Sequence, residues 1–122
     1  MSIQVKEIAF VFHPVADIAR ARDFYEKLLG LKIGLQLEFE PGAWWIEYDI
    51  AGVALAISNV EPVSRGAGAG LALEVASLDE TLAAIRAAKI PVTLGPQNLP
   101  PCRLFRVSSP DGHSITFHQR KA

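Results

Sequence analysis

Charged side chains punctuate otherwise apolar runs at Glu47 (AWWIEYD), Glu74 (LALEV), Arg106 (CRLFRVS) and His118 (SITFHQ). Glu47 or His118 is suited to act as a general base, because burial raises a carboxylate pKa toward neutrality and an imidazole titrates close to it. Carboxylates among aromatic residues such as Phe10, Phe12 and Trp45 suit a different task, holding a flat or cationic molecule against ring faces. The glycine-rich run at 66–70, GAGAG, invites comparison with a phosphate cradle, yet it precedes the strand-like LALEV. No helix N-terminus then faces an anion there. Cys102 is the one cysteine, so no internal disulfide can form.

The elements that must position these residues follow from apolar spacing. Residues 14 to 31, PVADIARARDFYEKLLGL, hold a helix start, an apolar face and a helix stop in one run. Asp17 caps the first turn, Ile18, Ala21, Phe24, Tyr25 and Leu28 recur at three- and four-residue steps, and Gly30 suits a left-handed C-terminal cap. The predicted helix, Asp17 to Leu29, is flanked by strand one, Val5 to Val15, and strand two, Lys32 to Phe39. Pro41-Gly42 and Ala51-Gly52 turn the chain into two further strands, AWWIEYD and VALAISNV, joined as hairpins. Residues 59 to 69 lack periodicity and read as a flexible connection. The pattern then starts again. Leu71 to Val75 is a strand, Ser77 and Glu80 form a capping box ahead of a Leu78, Leu82, Ile85 face, and Ile90 and Pro91 end that helix. Strands follow near Val92, from Cys102 to Ser108 and from His113 to Gln119, the last two joined by the turn Ser109-Pro110-Asp111-Gly112.

A shift of 60 residues lays one half on the other: Val15 on Val75, Asp17 on Ser77, Ile18 on Leu78, Tyr25 on Ile85, and GVALAISN from Gly52 on GHSITFHQ from Gly112. The chain is expected to be α+β, one domain over 1–122 made of two tandem βαβββ modules, 1–58 and 70–122, with each helix covering one face of its four strands. FYEKLLGL after an Asp-led helix start, SPDGHSITF in the second module and the duplication resemble the vicinal oxygen chelate superfamily of glyoxalases, bleomycin-resistance proteins and dioxygenases. The resemblance covers essentially the whole chain. It implies a curved eight-stranded mixed sheet with helices on the convex face, a cavity on the concave face, and often a pair of chains. One such fold hosts unrelated chemistries.

In metal-dependent relatives four His or Glu ligands come from the first and fourth strands of each module. The resemblance places those positions at Phe10, Ala56, Gly70 and Thr116, none of which suits a metal, since such a site takes three or four His, Cys or carboxylate ligands. No metal and no cofactor is therefore expected, and purified protein should carry only substoichiometric Zn, Ni, Fe or Mn. With Phe10 turned to the cavity, alternation brings Ile8 and Phe12 with it and sends His13 to the helix side, a structural place. Gly70 likewise brings Ala72 and Glu74, and Thr116 brings Ser114 and His118. If Ile50 pairs with Val53, Glu47 faces Ala56 and Trp45 faces Ser58 on the cavity side; the other register would press Glu47 and Asp49 against the helix, where an unpaired carboxylate is costly. A three-residue Pro110-Asp111-Gly112 loop sets Ser109 opposite His113 and Arg106 beside Thr116.

The expected cavity thus has walls of Phe10, Phe12 and Trp45 and a polar set of Glu47, Glu74, Arg106, Thr116 and His118. A purely structural role for Glu47 would be to balance Arg106 or Arg103. The mix favours binding of a small, partly aromatic or cationic organic molecule. The alternatives are a metal-free lyase, isomerase or dioxygenase using Glu47 or His118 as acid or base, and a relocated metal site at Glu47, Glu74 and His118. A formal net charge of −1 leaves no basic footprint for nucleic acid or an anionic membrane. No apolar run approaches the ~20 residues of a membrane span. MSIQVKEIAF lacks a secretory pattern, which points to the cytoplasm. Sheet edges that need pairing predict a homodimer.

Overall fold

The computed structural model describes residues 4, 6–60 and 70–121. The chain divides into two compact units, Met1–Val63 and Ser64–Ala122. Most of the expected flexible connection, residues 61–69, lies outside the described residues.

In the first unit β1 (Val11–Pro14) leads to α1 (Ile18–Arg22), which runs on as a π-helical segment (Asp23–Leu28); β2 (Lys32–Glu40), β3 (Ala43–Ile50) and β4 (Val53–Ser58) follow. The sheet order is β1-β4-β3-β2, with β1 parallel to β4 and the other pairs antiparallel. The second unit repeats this as β5 (Leu71–Glu74), α2 (Leu78–Ala87), β6 (Val92–Asn98), β7 (Cys102–Ser108) and β8 (Ser114–Arg120), in the order β5-β8-β7-β6. The eight strands therefore form two mixed four-stranded sheets in an α+β fold of tandem βαβββ modules. The duplication holds at the level of single pairs, since Phe12 pairs with Ala56 and, 60 residues on, Ala72 pairs with Thr116.

Each unit buries the helix-facing side of its sheet. In the first, Ile46, Tyr48, Leu55 and Ile57 meet Ala21, Phe24 and Tyr25 as the buried set, with Tyr25 stacked on Tyr48 at 5.9 Å between ring centroids. In the second, α2 contributes Leu78 and Ile85 and packs on β7 and β8, whose Phe105, Val107, Ile115 and Phe117 are buried. The hairpin registers are the expected ones. Glu47 pairs with Ala56, Trp45 with Ser58, and Arg106 with Thr116, while the Ser109 amide donates to the His113 carbonyl at 2.8 Å. The helix caps also form, with Asp17 accepting from the Arg20 amide and Ser77 from the Glu80 amide. Gly30 takes a left-handed φ of +69°, which lets the Leu31 amide reach back to the Tyr25 carbonyl.

Two elements differ from expectation. Strand one was predicted from Val5 to Val15, but Val5 lies outside the described residues and the ladder to β4 begins only at Val11. Ile8 and Phe10, 67% and 44% exposed, precede it, so the alternation continues without a hydrogen-bonded partner strand. The first helix is α-helical for only Ile18–Arg22, after which the Leu29 amide bonds to the Phe24 carbonyl, five residues back. The wider turn lets the adjacent Phe24 and Tyr25 both be buried.

Gly95 illustrates a close approach inside β6. Its φ is +82°, and a Cβ there would stand 2.9 Å from the Gln97 nitrogen and 3.0 Å from the Leu104 carbonyl oxygen. Both neighbours are backbone and cannot rotate away. Gly95→Ala is expected to destabilise the protein by about 1–3 kcal/mol, read as a lower midpoint in chemical denaturation; an unchanged midpoint would refute the packing described.

Candidate functional site

The residues expected to face a cavity fall into two clusters, one in each unit. In the first unit β3 alternates Trp45, Glu47 and Asp49 away from the helix, because Ile46 and Tyr48 between them are fully buried on the helix side. Trp45 stacks on Phe12 with 5.4 Å between centroids and 15° between planes, and Phe10 meets it edge-on at 5.3 Å. The Trp45 indole N–H donates to Glu47 Oε2 at 2.8 Å. Phe10, Phe12, Trp45 and Glu47 thus form one group, and the partner of Glu47 is the indole. Arg103 instead reaches Asp79 on α2 at 2.8 Å, and Arg106 bonds within its own sheet.

Beside Glu47 lies a cleft of about 510 Å³ whose walls include Glu7, Ile8, Lys32, Glu47, Asp49 and Ala54. Three carboxylates face one ammonium, which gives the cleft an excess of negative charge. Glu7, Lys32 and Asp49 were not singled out from the sequence. Asp49 could have been, since it lies two residues beyond Glu47 and shares its face in the register that placed Glu47.

The second unit groups Glu74, His118, Arg106 and Thr116. Glu74 and His118 are partners across β5 and β8, with His118 Nδ1 2.6 Å from Glu74 Oε1. The other carboxylate oxygen of Glu74 accepts from the Arg120 amide at 2.8 Å. The amide first, and His118 second, hold the Glu74 carboxyl below the usual carboxylate range. Arg106 Nε donates to Thr116 Oγ1 at 3.1 Å.

A carboxyl whose pKa is lowered by folding contributes stability that is present above its unfolded value, about 4.3, and is lost as pH falls through the folded one. Asp79, lowered by its hydrogen bond to Arg103, acts in the same direction. The protein should therefore lose stability progressively below about pH 4.3. Glu74→Gln should flatten part of that acid limb while Asp79 preserves the rest, as measured by thermal midpoints from pH 2 to 7. An acid limb identical in the variant would contradict the assigned hydrogen bonds.

His13 lies where alternation puts it, buried on the helix side with Nδ1 2.8 Å from the Tyr25 hydroxyl. Its place is structural. Tyr48, also on that side, donates to Glu26 at 2.8 Å, and burial together with that carboxylate pushes its phenol above the ordinary value.

The family profile of the Glyoxalase/Bleomycin resistance protein/Dioxygenase superfamily matches residues 7–117. The chain belongs to this superfamily. Solved structures of the same fold include a glyoxalase/dioxygenase from Nostoc punctiforme, 18% identical, with a TM-score of 0.82 and 100% and 99% of the two chains covered. A genomically encoded fosfomycin resistance protein from Listeria monocytogenes is 15% identical, with a TM-score of 0.79 over 97% and 96% of the chains. An antibiotic-binding protein from Streptomyces is 24% identical, with a TM-score of 0.74 over 98% and 100%. At these identities the likeness is one of fold. Comparison of the sequence with curated proteins gives no significant match.

Within the superfamily, the metal-ligand positions implied by the resemblance are Phe10, Ala56, Gly70 and Thr116. A phenyl ring, a methyl, a bare backbone and one hydroxyl do not make a donor set for a divalent ion. Among the described residues no group of three or more His, Cys, Asp or Glu is placed to hold one either. The described residues at these positions do not fit a metal. Nor is any helix among the described residues long and apolar enough to cross a membrane.

Proposed function

We propose that this superfamily member binds a small, flat, cation-bearing organic molecule on the open face of its first unit. The ring packs against Phe10, Phe12 and Trp45, and the positive charge sits in the cleft lined by Glu47 and Asp49. The observation that carries this reading is the Trp45–Glu47 hydrogen bond, which fixes a carboxylate at the edge of an aromatic cluster beside an acidic cleft. Ring faces and carboxylates together attract cations more strongly than either alone. The fold is shared with a protein that binds an antibiotic, so scavenging of a drug-like molecule is compatible with it. The chain should work as a homodimer: β2 is exposed along its whole length at the edge of its sheet, and pairing relieves such an edge.

A second reading, metal-free acid–base catalysis, is favoured by the short Glu74–His118 hydrogen bond, an arrangement that orients an imidazole for proton transfer.

Titration with N-methylquinolinium and with neutral quinoline, followed by tryptophan fluorescence, tests the main reading. Both tryptophans, Trp44 and Trp45, lie in the first unit. The cation should bind about tenfold more tightly than quinoline, and Glu47→Gln should reduce that preference while preserving quinoline binding. Equal binding of the two compounds by the unaltered protein would overturn it. For a turnover-competent protein using Glu47 as base, the same substitution would remove turnover and leave binding.

A further inference from the structure

The second unit presents, on the sheet face turned away from α2, a recognition chemistry opposite in sign to that of the first. Arg106 donates Nε to Thr116, and among the described residues its two Nη groups have no hydrogen-bond or ion-pair partner. A guanidinium engaged on one side only keeps an end-on pair of donors, the geometry that takes a carboxylate bidentately. Thr116, having accepted from Nε, retains its own O–H to donate.

Two residues further along β8, His118 supplies the complement. The Glu74 carboxylate can only accept, so in its neutral form the imidazole must carry its proton on Nδ1, which leaves Nε2 as an acceptor. The Arg120 amide on the second oxygen of Glu74 fixes that orientation. Positions two apart on a strand are separated by roughly 7 Å. The face thus sets a forked donor one strand repeat from a lone-pair acceptor, and each neighbour narrows the ligand. A neutral molecule would leave the fork unmet, and a second carboxylate would meet the lone pair of Nε2 and the charge of Glu74.

We propose that the second unit binds a short hydroxy acid, its carboxylate on the Arg106 Nη pair and the Thr116 hydroxyl, and its own hydroxyl donating to His118 Nε2. The inference stands on this face alone and does not depend on the cation site of the first unit.

The test is an NMR titration of histidine-labelled protein with 3-hydroxybutyrate, butyrate and methyl 3-hydroxybutyrate, following the His118 ring nitrogens. The free protein should show the Nδ1–H tautomer. The hydroxy acid should shift Nε2 and bind at least about tenfold more tightly than either analogue, since butyrate loses the hydroxyl bond to Nε2 and the ester loses the charge-assisted fork on Arg106. Arg106→Gln should remove the preference of acid over ester, and Glu74→Gln should weaken the hydroxy acid but leave butyrate unchanged. Acid and ester binding alike, an Nε2–H tautomer, or an unaltered affinity in Arg106→Gln would each overturn the proposal. Because tryptophan fluorescence reports the first unit and His118 the second, loss of hydroxy-acid binding with N-methylquinolinium still bound would sink this inference alone.

Discussion

Tyr25→Ala is expected to destabilise the protein by about 3–5 kcal/mol, the largest loss from any single change considered, because it empties the joint between helix and sheet in the first unit. Tyr25 is only 1% exposed, meets Phe24 edge-on at 5.0 Å, stacks on Tyr48 at 5.9 Å, and bonds through its hydroxyl to His13 on β1. Tyr25→Phe isolates the last contribution and should cost about 1 kcal/mol, the ring packing being kept. Denaturant midpoints of the two variants measure both. If Tyr25→Phe left stability unchanged while ligand binding fell, His13 would have a functional role and its structural assignment would be wrong.

The second large effect concerns binding. Trp45→Ala removes the plate that Phe12 stacks on and the N–H that holds Glu47, so affinity for N-methylquinolinium should fall roughly 30-fold, or about 2 kcal/mol, the loss typical of a buried aromatic anchor. Calorimetry suits this variant, since it keeps only Trp44 of the two tryptophans and lacks the one in the proposed site. Trp45→Phe keeps a ring but not the donor and should fall between the two. Equal affinity for Trp45→Ala and the parent protein would place the ligand elsewhere.

Much of this was legible in the sequence, and for identifiable reasons. The β3–β4 register could be chosen because its alternative pressed Glu47 and Asp49 onto the helix face, and burying unpaired carboxylates is costly enough to decide. The β7–β8 register followed from loop length, and the clustering of Arg106 with Thr116 followed from the register. His13 fell on the helix side by parity. The departures arise where tertiary packing overrides local pattern. Nothing in ARARDFYEKLL distinguishes α from π winding, because the choice depends on burying both Phe24 and Tyr25 against the sheet. Ile8 and Phe10 alternate as strand residues do, yet a strand needs a partner, and the ladder begins later.

The alternative in which Glu47 only balances Arg103 fails on parity. Arg103 shares the face of Phe105 and Val107, and so reaches Asp79 on the helix. The Trp45–Glu47 bond itself was not readable, because an i, i+2 contact along one strand depends on rotamers that spacing does not determine. The same holds for the acidic cleft, which needs Glu7 from ahead of β1 and Lys32 from β2 as well as β3.

The claim that the open face of the first unit is a cation-selective aromatic site is tested most directly at the Trp45 indole N–H, whose proton is the one that Glu47 accepts. Followed by NMR during titration with N-methylquinolinium, this resonance should move in proportion to occupancy, and in Glu47→Gln it should begin at a displaced position and move only at higher ligand concentration. An indole resonance that stays fixed while the ligand saturates the protein, or that responds identically in the parent and in Glu47→Gln, would contradict the account.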